Sequence, residues 1–252
     1  MSSRPLFVVL GLGDGSGTGS AAARVFSQAG YRIALIARSG RDTAQKLADE
    51  LNNTGGEAAA FPVSAYNYAT VHDVFGNIDR HWPNAQLRAA LFNAGHGVWK
   101  GFLDVTEEDI DAGVDVNIRA AYSFSREVIL RQKELPLNDK GKRGTLLFTG
   151  ATASLRGNVT TSGFAPGKSA LRILSQSLAK EFDKQNIHVA HSIIDGQIST
   201  ARQRNLHGEE WSSNPDNKLL PESIAQSYLY LVDQDRSAWT WELDLRPAHE
   251  KW

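Results

Sequence analysis

The sequence contains no cysteine, which excludes disulfide staples, thiolate nucleophiles and Cys-ligated metal together. It has no long hydrophobic run either. "MSSRPLFVVLGLG" passes from one arginine into a short apolar stretch and is broken by glycine, too soon for a signal peptide or a membrane span. Charge of one sign is also missing: 27 Lys+Arg against 28 Asp+Glu leave a formal net charge of −1. That balance makes no electrostatic case for nucleic acid or an anionic membrane surface as partner. Metal is not expected, because His188 and His191 flank one strand pattern without acidic or histidine companions. A soluble, cytoplasmic chain acting on a small molecule is the expectation that remains.

What is present is alternation. Apolar runs at 6–11, 32–37, 58–63, 88–94, 145–150 and 188–194 read as strands. Most are apolar on consecutive positions, as a parallel strand covered on both faces requires. Helical patterns at 19–29, 41–53, 67–81, 106–134 and 164–185 separate them, and 241–246 reads as a last strand. The rhythm predicts one α/β domain over 1–252, a doubly wound parallel sheet of Rossmann type with helices on both faces. The polar stretch 199–220 reads as an irregular lid. Glu107, Glu108 and Asp109 read as first-turn charges behind an N-cap at Thr106.

"FVVLGLGDGSGTGSAAARVF" is a strand, a glycine-dense turn and an Ala-rich helix. Gly13, Gly15, Ser16, Gly17, Thr18 and Gly19 suit a pyrophosphate, since glycine lets the backbone approach and a helix N-terminus offers free N–H groups. Glycines also close ordinary strand-to-helix turns, and Asp14 would oppose a phosphate nearby. After the second strand stand Arg38, Ser39 and Arg41, where an NAD-specific fold has an acidic residue. Guanidinium groups fit a 2′-phosphate, so NADP(H) is the expected cofactor; the alternative is a solvated loop.

Five segments taken in order resemble the short-chain dehydrogenase/reductase family, from about Leu6 to Leu245. They are the glycine turn, "LFNAG" with Asn93, Ala94 and Gly95, "VDVNIRAAY" with Asn117, "FAPGK" with Lys168, and "IIDGQIST" with Gly196, Ile198 and Thr200. The resemblance implies that Asn117 and Lys168 are catalytic, that Lys168 also holds the cofactor ribose, and that the last segment holds the nicotinamide. It further implies a homodimer or homotetramer paired through the helices at 106–134 and 164–185. The stripe Leu171, Leu174 and Leu178 is available either to that contact or to the sheet.

The chain departs from the family pattern where the proton chemistry lies. Phe164 occupies the catalytic Tyr position and Ala151 the catalytic Ser position; Ser64 replaces the Asp expected near the adenine, and Asp195 replaces Pro. Hydride transfer can survive the loss of a general acid, at a cost of about 10²–10⁴ in rate. His96 and Lys168 are the candidate replacement donors, with Trp99 as a wall of the same pocket; the rival reading of His96, a loop residue bonded to backbone, is the stronger of its two. The expectation is an atypical NADP(H)-dependent oxidoreductase acting on a small carbonyl, imine or conjugated double bond. The alternatives are a cofactor-binding protein without turnover and a redirected isomerase or cyclase.

Overall fold

A computed structural model describes residues 4–38 and 42–251. Its centre is a seven-stranded, wholly parallel sheet in the order β3-β2-β1-β4-β5-β6-β7. The strands are β1 (Leu6–Leu10), β2 (Arg32–Arg38), β3 (Glu57–Val63), β4 (Leu87–Phe92), β5 (Gly144–Thr149), β6 (Ile187–Ile194) and β7 (Glu242–Leu245). The continuous apolar runs do what burial on both faces demands. Along β1, Leu6, Val8 and Leu10 enter one apolar layer while Phe7 and Val9 enter the other.

The first layer is closed by α3 (Tyr68–His81), α5 (Ala120–Lys133) and α6 (Ala165–Phe182). The second is closed by α1 (Thr18–Gln28), α2 (Thr43–Asn53) and α8 (Pro221–Asp233). Leu171 and Leu174 are buried in the first layer and Leu178 packs against it, so that stripe faces the sheet and not a neighbouring subunit.

Three local features differ from the sequence reading. The helix expected over 106–134 is α4 (Glu107–Val114) and α5 joined by a π-helical turn, Asp115–Arg119, which carries Asn117. The expected lid contains α7 (Ala201–Ser213), interrupted where Gly208 takes φ 79°. Helix α7 buries no residue, so no apolar stripe announced it. Helix α8 was not anticipated, although Pro221 opens it and Ile224, Ala225, Tyr228, Leu231 and Val232 form its buried face. As expected, Thr106 caps α4: its hydroxyl accepts from the Asp109 N–H while the Asp109 carboxylate accepts from the Thr106 N–H.

The strand order reverses between β1 and β4, so the carboxyl ends of those two strands open a crevice. The glycine turn, Arg38, Asn93, Gly95, Lys168, Gly196, Ile198 and Thr200 line the cavities that open there.

Candidate active site

At the end of β1, Gly11 has φ 101° and lies against β4: a Cβ would come within 2.5 Å of the Ala94 nitrogen. Gly19 is as tightly held, since a Cβ there would lie 2.1 Å from the Gly11 oxygen and 2.8 Å from Asn93 Nδ2. Asn93 stitches the crossing together. Its Nδ2 donates to the Gly11 carbonyl (2.7 Å), and its Oδ1 accepts from the Thr149 hydroxyl (2.7 Å), which also bonds Tyr228 Oη (2.8 Å). Tyr228 is fully buried on α8, the helix the sequence did not give away.

The glycine turn fits a dinucleotide on its own geometry. Helix α1 has no side-chain cap at Gly17, so its first-turn N–H groups face out of the helix end. Thr18 Oγ1 is buried there without a partner among the described residues. Gly13 (φ 63°) has no atom within 4 Å of a virtual Cβ, which leaves its backbone approachable, and Gly15 takes φ 95°. Asp14 is turned back into the loop, where its carboxylate accepts from the Ser16 N–H (3.0 Å) and hydroxyl (2.5 Å). Burial pushes its pKa up, but those two bonds hold it below the ordinary carboxylate value. Ser16 Oγ in turn accepts from the Ala201 N–H (2.7 Å), tying the glycine turn to the start of α7.

Between the glycine turn and the end of β2, a cavity of about 170 Å³ is lined by Gly11, Gly13, Ala37, Arg38, Thr43, Tyr66, Asn93, Ala94 and Gly95. The Arg38 guanidinium stands 5.6 Å from the Tyr66 ring centroid. Ser39 and Arg41 lie outside the described residues. Ser64, expected here, is exposed just past β3 and does not line this cavity; Tyr66, two residues on, does.

A larger cavity of about 770 Å³ shares Gly13, Asn93 and Gly95 with the first. It is bounded by the glycine turn through Gly17 and Thr18, by Trp99, Ala151, Phe164 and Lys168, and by Gly196, Ile198 and Thr200. Thr200 also caps α7 through its side chain. Helix α6 begins directly after Phe164, with proline in its first turn, and carries Lys168 into the interior. Lys168 Nζ donates to the Thr149 carbonyl (2.9 Å) and lies 3.5 Å from a virtual Cβ on Gly95. Burial alone lowers its pKa from 10.5 to about 8.

Asn117 is buried and acts on the backbone of the "NAG" loop. Its Nδ2 donates to the His96 carbonyl (2.8 Å) and its Oδ1 accepts from the His96 N–H (3.1 Å). The π-helical turn aims it there. His96 itself does not line the large cavity, and its ring Nε2 is buried with no partner among the described residues. Of the nearby hydroxyls, Thr152 Oγ1 donates to Asp195 Oδ1, and Asp195 also pairs with Arg246 at 3.5 Å. Asp195 thus makes an ionic tie between the loop after β6 and the segment after β7.

A sheet of this order, a glycine turn at its switch point and a lysine one helical turn past an N-terminal aromatic define a dinucleotide-binding redox scaffold. The family model for short chain dehydrogenases matches residues 7–211. The chain is 30% identical over 224 residues to an uncharacterised short-chain type dehydrogenase/reductase of Sinorhizobium fredii, covering 87% of this chain and 82% of that protein. It is 29% identical over 213 residues to the oxidoreductase UcpA of Salmonella typhimurium, covering 84% and 74%. A crystal structure of a short-chain dehydrogenase from Rhodopseudomonas palustris superposes with a TM-score of 0.77 at 30% identity, covering 96% of this chain and 98% of that one. The chain belongs to the short-chain dehydrogenase family, oxidoreductases that use nicotinamide cofactors.

Proposed function

We propose that the chain is an NADP(H)-dependent oxidoreductase that reduces a carbonyl, imine or conjugated double bond without the usual tyrosine, using the Lys168 ammonium as proton donor. One observation carries the reading: Lys168 lines the same cavity as Phe164, Ala151 and the glycine turn. Bound NADPH supplies a hydride at nicotinamide C4. The chain's own residues do the rest. The glycine turn and the open end of α1 receive the pyrophosphate, and Arg38, beside Tyr66, receives the 2′-phosphate. Asn117 fixes the loop at His96 through two backbone hydrogen bonds. Lys168 holds a proton at Nζ, and its pKa near 8 suits release to a developing alkoxide or amide anion at neutral pH.

His96 is the weaker donor in this reading, because its ring lies away from the cavity lining while its backbone is occupied by Asn117. Dimer or tetramer formation in the cytoplasm belongs to the same proposal. Exposed Tyr122 and Leu130 on α5 and Ile173 on α6 supply an apolar face on the expected helices. Sedimentation at micromolar concentration tests it, and a monomer would refute it.

The function is tested by NADPH oxidation against ketones, cyclic imines and enones, with Lys168→Met and His96→Ala in parallel. Turnover should fall as pH rises through about 8, as Lys168 loses its proton, and should vanish in Lys168→Met. Turnover indifferent to Lys168 would overturn the donor assignment. The missing hydroxyls at 151 and 164 favour one rival reading, a protein that binds cofactor without turnover. Tight NADPH binding with no oxidation across the panel would establish that rival.

A further inference from the structure

The wall that replaces the missing tyrosine is aromatic and built to stay open. The Trp99 and Phe164 ring centroids lie 4.9 Å apart at an interplanar angle of 40°. They meet over Gly97, where a Cβ would come within 2.6 Å of Trp99 Cη2 and 2.9 Å of Phe164 Cδ2. Any side chain at 97 would push the rings apart. Both rings line the large cavity, yet Trp99 remains 61% exposed, so much of the indole is uncovered at its mouth.

Beyond the cavity lining, further apolar side chains are exposed on the segments that leave the same ends of the strands. Phe102 (76% exposed) and Leu103 (94%) follow Trp99 on the segment after β4. Leu155 and Val159 are exposed on the segment after β5, and Leu206 on α7 after β6. All leave the carboxyl ends of adjacent strands, the end at which the cavity opens. A single exposed apolar side chain means little, but exposed apolar side chains on three segments that leave this end of the sheet suit an apolar ligand better than a polar one.

We infer that the substrate of this site is a bulky, mostly apolar compound whose aromatic ring stacks on the Trp99–Phe164 wall: an aryl or fused-ring carbonyl or imine, not a small polar one. The inference rests on the oxidoreductase reading only in taking this cavity as the substrate pocket. Aromatic rings prefer offset or tilted partners at 4.5–7 Å, and the indole offers such a face without reorganisation. Phe164 contributes twice, as the partner that orients Trp99 and as the ring whose centroid lies 5.9 Å from Lys168 Nζ. A ring held on this wall therefore sits next to the amine.

The test is binding, measured apart from turnover. Protein with and without saturating NADP⁺ is titrated with 1-acetonaphthone, its ring-saturated analogue and 2-butanone, by calorimetry and by tryptophan fluorescence. 1-Acetonaphthone should bind about two- to tenfold tighter than the saturated analogue. Trp99→Ala should erase that preference, and Phe164→Leu should reduce it. Trp239→Phe, which keeps the stack on His188 far from the wall, should leave it intact. Equal affinity for the aromatic and saturated ketones, or a preference unchanged by both Trp99→Ala and Phe164→Leu, would overturn the inference. NADPH oxidation separates the two claims. Trp99-dependent aromatic binding without oxidation would refute the oxidoreductase reading and leave the wall standing. Oxidation of NADPH by 2-butanone as fast as by 1-acetonaphthone, indifferent to Trp99, would do the reverse.

Discussion

Lys168 Nζ lies 5.9 Å from the centroid of the Phe164 ring, one helical turn back along the chain, with no hydroxyl at 164 to receive or relay its proton. The amine instead donates to the Thr149 carbonyl. On the proposed reading, that relationship leaves Lys168 as the group with a proton to give in this cavity.

Restoring the hydroxyls should restore ordinary ketone chemistry. Ala151 and Phe164 line the same cavity as Lys168, so Ala151→Ser with Phe164→Tyr puts both hydroxyls into that cavity. NADPH oxidation with simple ketones should rise by about 10²–10⁴, the usual contribution of a positioned general acid. An unchanged rate at matched folding and cofactor saturation would mean that the cavity does not hold the reacting carbonyl beside residue 164.

The stability of the cofactor-free protein should rise with pH between about 8 and 10.5. Lys168 has a folded pKa below its unfolded one, so the folded chain holds fewer protons across that window. The cost of burying its charge is present below pH 8 and relieved above it. The effect for this residue is on the order of 3 kcal/mol. Lys142, pushed down to about 8 chiefly by burial, acts in the same direction. Urea unfolding across the window should therefore show a slope that Lys168→Met reduces by roughly half; parallel slopes would contradict the burial of the amine.

Gly19→Ala should damage cofactor binding more than any surface change. Its Cβ would meet the Gly11 carbonyl and the Asn93 amide together, and backbone has little room to give. Overpacking of this kind costs about 1–3 kcal/mol. Gly76→Ala is the contrast, since its Cβ meets only the end of Arg80 at 3.7 Å inside α3. That change should stabilise by about 0.5–1 kcal/mol and leave NADPH affinity untouched. Thermal melts with NADPH titrations check both.

NADPH should bind more tightly than NADH, and Arg38→Ala should remove most of the difference, about 1.5–3 kcal/mol for a charge-assisted contact. Tyr66→Leu should weaken it less, by releasing the guanidinium from the ring it stands beside. Fluorescence titration of both cofactors against the three proteins decides it.

The sheet was legible because its strands carry unbroken apolar runs bounded by glycine and polar turns. The glycine turn was legible from the strand before it and the helix after it, whereas Asn93, Asn117 and Lys168 were marked only by the resemblance to the short-chain dehydrogenase/reductase family. Helix α7 was not, because a helix that buries nothing leaves no periodic stripe. Helix α8 does carry a stripe, from Ile224 to Val232, but lies beyond the last helical pattern read from the sequence. Its loss hid Tyr228, whose hydroxyl ends the chain of hydrogen bonds from Asn93 through Thr149. Tyr66 and the placing of His96 rest on how loops from distant strands meet, which no local spacing encodes.

The most direct measurement follows the label from NADPH deuterated at the transferring C4 position into product, with an aryl ketone as acceptor and with Lys168→Met alongside. The expected result is deuterium on the product's carbinol carbon, formed slowly by the unmodified protein, faster by Ala151→Ser with Phe164→Tyr, and not at all by Lys168→Met. Saturating NADPH binding with no deuterium in any product, in the unmodified protein and the doubly substituted one alike, would contradict a hydride-transferring site.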